Sequence, residues 1–188
     1  MNSIRHLVLG AARSGKTRFA LNIAKSFAQS SASEVIYVAT AEAHDAEMRE
    51  RIARHRAERP MSWRTLEAPR DLATSLARIE KASVIVVDCL TLWLSNALLR
   101  DFNEDQPTAS LPTWARERDV FIGWLSNCPH ALILVSNEVG GGIVPTSALA
   151  RRFQSEQGWL NQDIASVCEQ VTLVVAGLPM TLKAPASR

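Results

Sequence analysis

The sequence predicts an α/β fold: a mostly parallel β-sheet with helices on both faces and a C-terminal edge strand. Short, nearly all-apolar segments alternate with longer amphipathic ones along the chain. Strands without polar alternation are typical of a parallel sheet that is covered on both faces. The length of 188 residues suits one domain spanning residues 1–188, and 47% hydrophobic with 21% charged residues is an ordinary globular composition.

Five apolar segments are predicted to be the buried strands of this sheet. Val84–Val87 consists entirely of β-branched residues, which favour extended structure. The other four segments are Ile4–Leu9, Val35–Ala39, Ala131–Val135 and Val171–Val175. Trp63–Leu66 is predicted to be a further short strand, and Met180–Lys183 is predicted to pair back as the edge strand.

The segments between the strands are predicted to be helices. Gly15–Gln29 places its apolar residues on one face, and Asp45–Arg59 is highly charged and is stopped by Pro60. The further predicted helices are Pro69–Lys81, Leu90–Leu99, Thr113–Ser126 and Ser147–Cys168. Asp101–Pro112 is polar and is predicted to be a mobile loop, and Gly140–Gly142 is predicted to be a flexible turn.

Composition excludes several classes of protein. A net charge of +2 gives no reason to expect nucleic acid or a membrane surface as a partner. Cys89, Cys128 and Cys168 are far apart and form no metal or disulfide motif, which indicates a reducing, cytoplasmic compartment. No apolar run approaches the ~20 residues that a membrane span needs, and the apolar stretch Leu7–Ala12 is too short for a signal peptide.

The turn after the first strand matches the complete P-loop pattern. Its residues are Gly10, Ala11, Ala12, Arg13, Ser14, Gly15, Lys16 and Thr17. The glycines permit a backbone in which the amides point inward and bind phosphate oxygens at the helix N-terminus. Lys16 is expected to reach the β- and γ-phosphates, and the Thr17 hydroxyl is expected to bind Mg²⁺. A plain glycine turn is the alternative, but the strand–turn–helix context disfavours it.

Polar residues follow the predicted strands where a ligand is expected. In sheets of this kind ligands bind beyond the carboxyl ends of the strands, and Ser14, Thr40, Asp88 and Asn137 all fall there. Asp88 directly follows the third buried strand, so we predict that it is the carboxylate that binds Mg²⁺. The alternative is that Asp88 caps the helix that follows.

The charged helix carries a candidate nucleophile. Arg51, His55 and Arg59 are spaced four residues apart and would share one helix face. Cationic neighbours disfavour a charged imidazole, and a neutral imidazole beside phosphate-binding arginines can attack phosphorus. On these residues alone the alternative, a solvated basic face with an incidental histidine, stays open.

The other three histidines are weaker candidates. His6 lies within the first strand and is predicted to be structural. His44 and His130 lie beside element ends and are predicted to be surface or capping residues.

Two other classes of P-loop protein fit less well. No Asn-Lys-x-Asp guanine motif occurs, and Asp88 is not followed by the Asp-x-x-Gly pattern of a GTPase switch. The Leu-Ser-Gly-Gly-type signature of a transport ATPase is also absent from the sequence. A small-molecule kinase fits the length better.

Motifs along nearly the whole chain carry a resemblance to a known family. They are Ala12–Thr17, Tyr37–Ala41, Asp45, Glu47, Met48, Arg51, Ile52, His55, Arg56, Arg59, Pro60, Trp63, Thr65, Glu67, Asn137–Gly140, Gly142–Pro145, Asn161 and Gln162. In these motifs the chain resembles the bifunctional adenosylcobinamide kinase/adenosylcobinamide-phosphate guanylyltransferase family. The resemblance departs from the family pattern at Ala11, where family members often have a second glycine, and the strand-end carboxylate, here Asp88, varies between Asp and Glu.

The resemblance implies two reactions and a set of residues for them. A nucleoside triphosphate, ATP or GTP, would phosphorylate adenosylcobinamide. GTP would then donate GMP to adenosylcobinamide phosphate through a guanylylated histidine, which is His55 here. The nucleotide contacts implied by matching positions are the P-loop, Thr40, Ala41, Glu42, Arg56, Ala57, Glu58, Arg59, Glu67 and Asp88. The family also implies a homo-oligomer, often a trimer.

Overall fold

The computed structural model describes residues 4–43, 45–57, 59–81 and 83–184, which contain seven strands and six helices. The strands are β1 (Arg5–Gly10), β2 (Val35–Ala39), β3 (Arg64–Glu67), β4 (Val84–Asp88), β5 (Ala131–Asn137), β6 (Gln170–Val175) and β7 (Leu178–Lys183). The helices are α1 (Lys16–Ser31), α2 (Ala46–Ala57), α3 (Leu72–Ala77), α4 (Leu90–Asp101), α5 (Pro112–Ser126) and α6 (Ala148–Val167). None of these helices combines the length and the apolar character that crossing a membrane requires.

The seven strands form one sheet in the order β3-β2-β4-β5-β1-β6-β7. Every neighbouring pair is parallel except β6 and β7, which are antiparallel. The predicted α/β fold with an antiparallel C-terminal edge strand is therefore confirmed. The register sets Asp88 beside Ala39 and Val135, and sets Gly10 beside Asn137, so that these strand ends meet at one edge of the sheet.

Helices pack on both faces of the sheet and create two apolar clusters. On one face α3, α4, α5 and α6 bury a large cluster that includes Trp93, Trp114 and Phe121. On the other face Ala20 and Leu21 of α1 pack against the sheet. Alternate residues of β4 point to opposite clusters, as the period of two in a strand requires.

Two buried glutamates organise the larger helical layer. Glu117 accepts hydrogen bonds from the Trp93 indole and from Arg100, each at 2.8 Å. Glu156 accepts a hydrogen bond from the Trp114 indole at 2.9 Å in the same way. Because each buried carboxylate is satisfied, these polar contacts fix how α4, α5 and α6 pack together.

The structure corrects several predicted boundaries. Only Leu72–Ala77 of the predicted helix Pro69–Lys81 is helical, because Asp71 has φ 46° and breaks the helical backbone before that point. The predicted Asp45–Arg59 helix is also shorter in the structure, since α2 spans Ala46–Ala57. Arg59 therefore does not belong to a helix face with His55.

The predicted roles of the histidines have different outcomes. His6 is structural as predicted, because it is buried with its Nε2 2.9 Å from the Thr172 hydroxyl. Of the two alternatives predicted for His130, a surface residue or a capping residue, the surface alternative is wrong. Its side chain is buried, and its Nδ1 accepts a hydrogen bond from the Ser83 N–H at 3.3 Å. His44 lies outside the described residues.

Candidate functional site

The glycine loop between β1 and α1 forms a tight cradle. Arg13 and Gly15 have positive φ angles of 59° and 95°. A Cβ atom at Gly10 would collide with the Ser14 hydroxyl and lie 2.7 Å from the Val174 carbonyl oxygen, so only glycine fits there. The Ser14 backbone N–H donates to the Ala11 carbonyl at 3.2 Å, and its carbonyl accepts from the Gly177 N–H at 2.8 Å.

Two side chains of this loop are placed to bind an anion. The Lys16 side chain is largely buried, and its Nζ donates to the Ala11 carbonyl at 3.1 Å, which folds it back over the loop. The Ser14 hydroxyl is buried and has no hydrogen-bond partner within the described residues. Because buried polar groups in proteins are normally satisfied, this hydroxyl indicates that the cradle accommodates a ligand.

A cavity of about 360 Å³ opens beside the loop at the carboxyl ends of the strands. Its position agrees with the general rule for open α/β sheets. It is lined by Lys16, Thr17, Tyr37, Ala39, Ala41, Glu42, Ala43, Met48, Ile52, His55, Arg59, Glu67, Pro69, Asp88, Cys89, Leu92 and Asn137. Cationic and anionic side chains therefore share one cavity with apolar residues of α2.

Asp88 ends β4 at the floor of this cavity. Its Oδ2 accepts a hydrogen bond from the Tyr37 hydroxyl at 2.6 Å and lies 3.9 Å from His55 Nδ1. Burial by itself would raise the pKa of the Asp88 carboxyl, but His55, Tyr37 and the charge of Lys16 outweigh it and hold that pKa below its ordinary value. Asp88 is consequently a carboxylate at neutral pH, as a metal ligand must be.

His55 projects from α2 into the same cavity. About a third of its side chain, 31%, remains exposed. Among the described side chains its neighbours include the Asp88 carboxylate, an anion that the sequence did not predict to lie there, whereas the Arg51 side chain lies outside the described part of the structure. Because Nδ1 faces Asp88, the other ring nitrogen, Nε2, is left for a ligand in the cavity.

Arg59 reaches the cavity from the segment after α2. Its guanidinium carbon lies 3.3 Å from the centroid of the Tyr37 ring, which is a close cation–π contact. Its Nη1 lies 3.5 Å from the Thr65 hydroxyl of β3. Tertiary packing thus brings Arg59 close to the site although it does not share a helix with His55.

The segment that follows β2 is held in place by hydrogen bonds to residues packed behind it. Thr40 is fully buried, and its hydroxyl both accepts from the Cys89 N–H at 2.8 Å and donates to the Cys89 carbonyl at 2.7 Å. Asn96 of α4 donates from Nδ2 to the Thr40 carbonyl at 2.8 Å and to the Pro69 carbonyl at 3.1 Å. These contacts hold the two cavity walls that follow β2 and β3.

The structure gathers many of the predicted site residues and leaves others apart. The predicted residues that line the cavity are Lys16, Thr17, Ala41, Glu42, His55, Arg59, Glu67 and Asp88. Residues 10–15 form the loop beside the cavity. Thr40 is buried behind the wall, whereas Arg56 and Ala57 are exposed on α2. Glu58 lies outside the described residues.

The sequence-based site omitted several lining residues. Tyr37, Met48 and Ile52 belong to motifs that carry the family resemblance. Membership of these motifs could have identified them as site residues. Asn137 lines the cavity from the end of β5, where polar residues at strand ends predict a ligand. Leu92 of α4 carried no signal, because an apolar residue in a buried helix is the ordinary case.

The parallel sheet and the glycine cradle followed by a helix define a P-loop nucleotide-binding protein. The family model described as cobinamide kinase/cobinamide phosphate guanyltransferase matches residues 6–182. The chain belongs to this family.

Relatives cover almost the whole chain. It is 49% identical over 181 residues to the bifunctional adenosylcobalamin biosynthesis protein CobP of Pseudomonas aeruginosa, covering 96% of this chain and 98% of the relative. Proteins named bifunctional adenosylcobalamin biosynthesis protein CobU from Escherichia coli and Salmonella typhimurium are 38% and 37% identical. Both alignments cover 94% of this chain and 98% of the relative.

These comparisons confirm the class of enzyme predicted from the sequence. The chain is a transferase of a kinase and guanylyltransferase family in cobalamin biosynthesis. Nucleotides are accordingly its substrates.

Proposed function

We propose that one cavity serves both reactions of this chain: phosphorylation of adenosylcobinamide by ATP or GTP, and transfer of GMP from GTP to adenosylcobinamide phosphate. The observation that carries this proposal is the position of His55. It faces the cavity that Lys16 and Thr17 of the P-loop line, and it contacts Asp88. A P-loop kinase needs no histidine there, whereas a covalent guanylyl carrier does.

In the kinase step, the loop amides and Lys16 bind the phosphates of the nucleotide. The buried Lys16 ammonium neutralises charge that develops as the bond between the γ-phosphorus and its bridging oxygen breaks. The substrate hydroxyl forms the new bond to phosphorus, its proton passes to solvent, and the nucleoside diphosphate leaves. The Ser14 hydroxyl, buried and without a partner within the described chain, supports a phosphate in the cradle.

A magnesium ion fits this donor set. Thr17 and Asp88 line the same cavity and supply a hydroxyl and a carboxylate oxygen. The described residues contain no group of three or more histidine, cysteine, aspartate or glutamate side chains for a metal. That agrees with magnesium in phosphoryl-transfer enzymes, which is held by one or two protein ligands, water and substrate phosphates. Magnesium bound there would neutralise charge on the phosphate oxygens.

In the guanylyl step, His55 attacks the α-phosphorus of GTP through Nε2. The bond from phosphorus to the bridging oxygen breaks, and pyrophosphate leaves. The phosphate of adenosylcobinamide phosphate then attacks the phosphoramidate, the N–P bond breaks, and His55 is regenerated. Asp88 next to Nδ1 orients the ring for both displacements.

The remaining predicted contacts surround the nucleotide. Glu42 and Glu67 supply carboxylates to the cavity wall, and Arg59 supplies a cation. Thr40 is buried and contributes indirectly, because it fixes the backbone of the cavity wall next to Ala41. We propose that Arg56 and Ala57, which are exposed on α2, contact the nucleotide from the open side of the cavity. For Glu58 the proposed nucleotide contact rests on the family resemblance alone.

The second candidate is a P-loop kinase in which His55 only helps to bind nucleotide. The 3.9 Å approach of His55 Nδ1 to Asp88 fits this candidate as well, because the same contact would orient a ring that merely binds phosphate. The two candidates differ in whether GMP becomes attached to the protein.

The test is to incubate the full chain with magnesium and GTP labelled at the α-phosphate, and to compare wild type with His55→Ala on a denaturing gel. We expect acid-labile label on wild type and none on His55→Ala. Arg54→Ala is the matched control, because Arg54 is exposed on the same helix and pairs with Glu50 at 3.2 Å, away from the cavity lining. Label on His55→Ala, or none on wild type while GTP is bound, would contradict the covalent step.

We also propose the setting in which the enzyme works. Its partners are adenosylcobinamide and its phosphate as substrates, and copies of itself in a homo-oligomer, for which the family resemblance implies a trimer. The compartment is reducing and cytoplasmic. Cys89, Cys128 and Cys168, which are all free and buried, support this.

A further inference from the structure

Tyr37 is the single tyrosine of the chain and lies between two groups of the proposed site. It occupies the middle of β2, where its backbone pairs with Thr65 of β3 and Val86 of β4. Its side chain is 2% exposed. A side chain fixed by two neighbouring strands can hold other groups in place.

The hydroxyl of Tyr37 holds the carboxylate of Asp88. The two oxygens are 2.6 Å apart, and the same Asp88 oxygen lies 3.9 Å from His55 Nδ1. Hydrogen bonds to charged acceptors are short and directional, so this contact limits rotation of the carboxylate. The Tyr37 hydroxyl therefore acts on His55 through Asp88.

The ring of Tyr37 holds the guanidinium of Arg59. The contact is 3.3 Å from the guanidinium carbon to the ring centroid. Arg59 Nε is buried without a hydrogen-bond partner in the described part of the chain, and its Nη1 reaches the Thr65 hydroxyl only at 3.5 Å. Stacking on the ring is consequently the main contact that orients this arginine.

We infer that Tyr37 is a positioning residue with two separable functions: its ring orients Arg59 to bind nucleotide, and its hydroxyl holds Asp88 so that His55 is aligned for guanylyl transfer. The inference rests on the proposed function of His55. Tyr37 itself does not contact the reacting atoms. It positions Arg59 through the face of its ring, and it positions Asp88, and through Asp88 the His55 ring, by its hydroxyl.

Two substitutions separate these functions. Tyr37→Phe removes the hydroxyl and keeps the ring, so the single-turnover rate of His55 labelling at saturating GTP should fall on the order of tenfold. Nucleotide affinity should stay within about twofold of wild type, because the ring still stacks on Arg59. Affinity is measured with a GTP analogue that has a methylene group between the α- and β-phosphorus, which cannot release pyrophosphate.

Tyr37→Leu removes both the hydroxyl and the ring. The labelling rate should fall as in Tyr37→Phe, and the dissociation constant of the analogue should also rise by roughly threefold to tenfold. A residue with a purely structural role would change both quantities together in both variants.

Thr172→Val is the matched control for loss of a buried strand hydroxyl. The Thr172 hydroxyl lies 2.9 Å from His6 Nε2 and does not line the cavity. This variant should lower thermal stability and leave the labelling rate and the analogue affinity unchanged.

A spectroscopic readout tests the contacts directly. Because the chain has one tyrosine, isotope labelling of tyrosine at Cζ gives one protein signal that reports the environment of the Tyr37 hydroxyl. Asp88→Ala should shift that signal, and Thr172→Val should not.

The outcomes distinguish this inference from the proposed function. Absence of label on wild type would defeat the guanylylated histidine itself. Label on wild type with an equal rate for Tyr37→Phe would overturn the positioning role of the hydroxyl. Unchanged analogue affinity in Tyr37→Leu would overturn the role of the ring.

Discussion

At the scale of single residues, Gly10 sets the shape of the phosphate cradle. A Cβ atom there would meet the Ser14 hydroxyl and lie 2.7 Å from the Val174 carbonyl oxygen. We expect Gly10→Ala to lower the free energy of unfolding by about 1–3 kcal/mol, because backbone of β6 must move. Nucleotide affinity should fall with it, as measured by thermal unfolding and by titration with GTP analogue.

Gly123→Ala is the control for this prediction. Gly123 lies in α5, and a Cβ atom there meets nothing within 4 Å. The substitution should raise stability by up to about 1 kcal/mol through helix propensity and leave nucleotide binding unchanged. Wild-type stability and affinity in Gly10→Ala would contradict the geometry of the cradle.

His6 links stability to pH. Burial lowers its pKa from 6.5 to about 4. Between those two values the unfolded chain binds a proton that the folded chain does not, so stability is fully present above pH 6.5 and is lost as pH falls towards 4. At pH 5 the loss relative to pH 7.5 is about 2 kcal/mol, or about 4–8 °C in Tm.

His6→Gln should flatten the dependence of Tm on pH between pH 7.5 and 5. Burial also lowers the pKa of His130, so a weaker dependence of the same sign should remain in that variant. An equally steep dependence in wild type and His6→Gln would show that His6 is not the group responsible. The pKa values of the Asp88 and Glu169 carboxyls are lowered in the folded chain. The stability that these two groups contribute is therefore lost only below this pH window, where they become protonated.

At the scale of elements, α2 belongs to the site more than to the core. None of its described side chains is fully buried, and its apolar residues Met48 and Ile52 face the cavity. Ile52→Ala should therefore raise the KM for GTP while Tm changes by less than about 2 °C.

Ile164→Ala on α6 is the comparison for Ile52→Ala. Ile164 is completely buried in the larger apolar cluster, so its truncation should cost about 2–5 kcal/mol. The measurements are thermal unfolding and steady-state kinetics. If Ile52→Ala lost as much stability as Ile164→Ala, α2 would be part of the folded core.

At the scale of the whole molecule, the edge strand β7 offers a surface for the proposed homo-oligomer. Leu178, Met180 and Leu182 alternate along it and are 72%, 57% and 55% exposed. An exposed apolar edge strand is a site of association unless it is covered. We expect wild type to be oligomeric by light scattering after gel filtration, and Met180→Lys to shift it towards the monomer.

Val120→Lys is the matched control, because Val120 is an apolar residue of α5 that is 54% exposed and not on β7. It should leave the oligomer intact. A monomeric wild type would contradict the homo-oligomer, whereas an oligomer unaffected by Met180→Lys would place the interface elsewhere.

At the scale of the whole molecule we also propose that residues 1–188 form one domain. One sheet joins β7 at the end of the chain to β1 at its start through β6. Such a sheet should unfold in a single cooperative transition.

The sequence by itself determined the order of the strands and helices and the motif of the loop. Apolar runs and helical periodicity are local patterns, so the strand boundaries were found to within two residues, with the largest differences at the end of β5 and the start of β7. The P-loop is likewise a contiguous motif, and its residues form the loop between β1 and α1, whereas their contacts to nucleotide stay a prediction. Contiguous motifs also carried the resemblance that family membership confirms.

Only the tertiary structure decided which distant side chains meet. Tyr37 and Asp88 are 51 positions apart and touch because β2 lies beside β4, an order that periodicity does not encode. Arg59 was predicted on one helix face with His55, but α2 ends first and Arg59 stacks on Tyr37 instead. Local patterns specify the period of each element, whereas contacts between side chains depend on the order and register in which the elements pack.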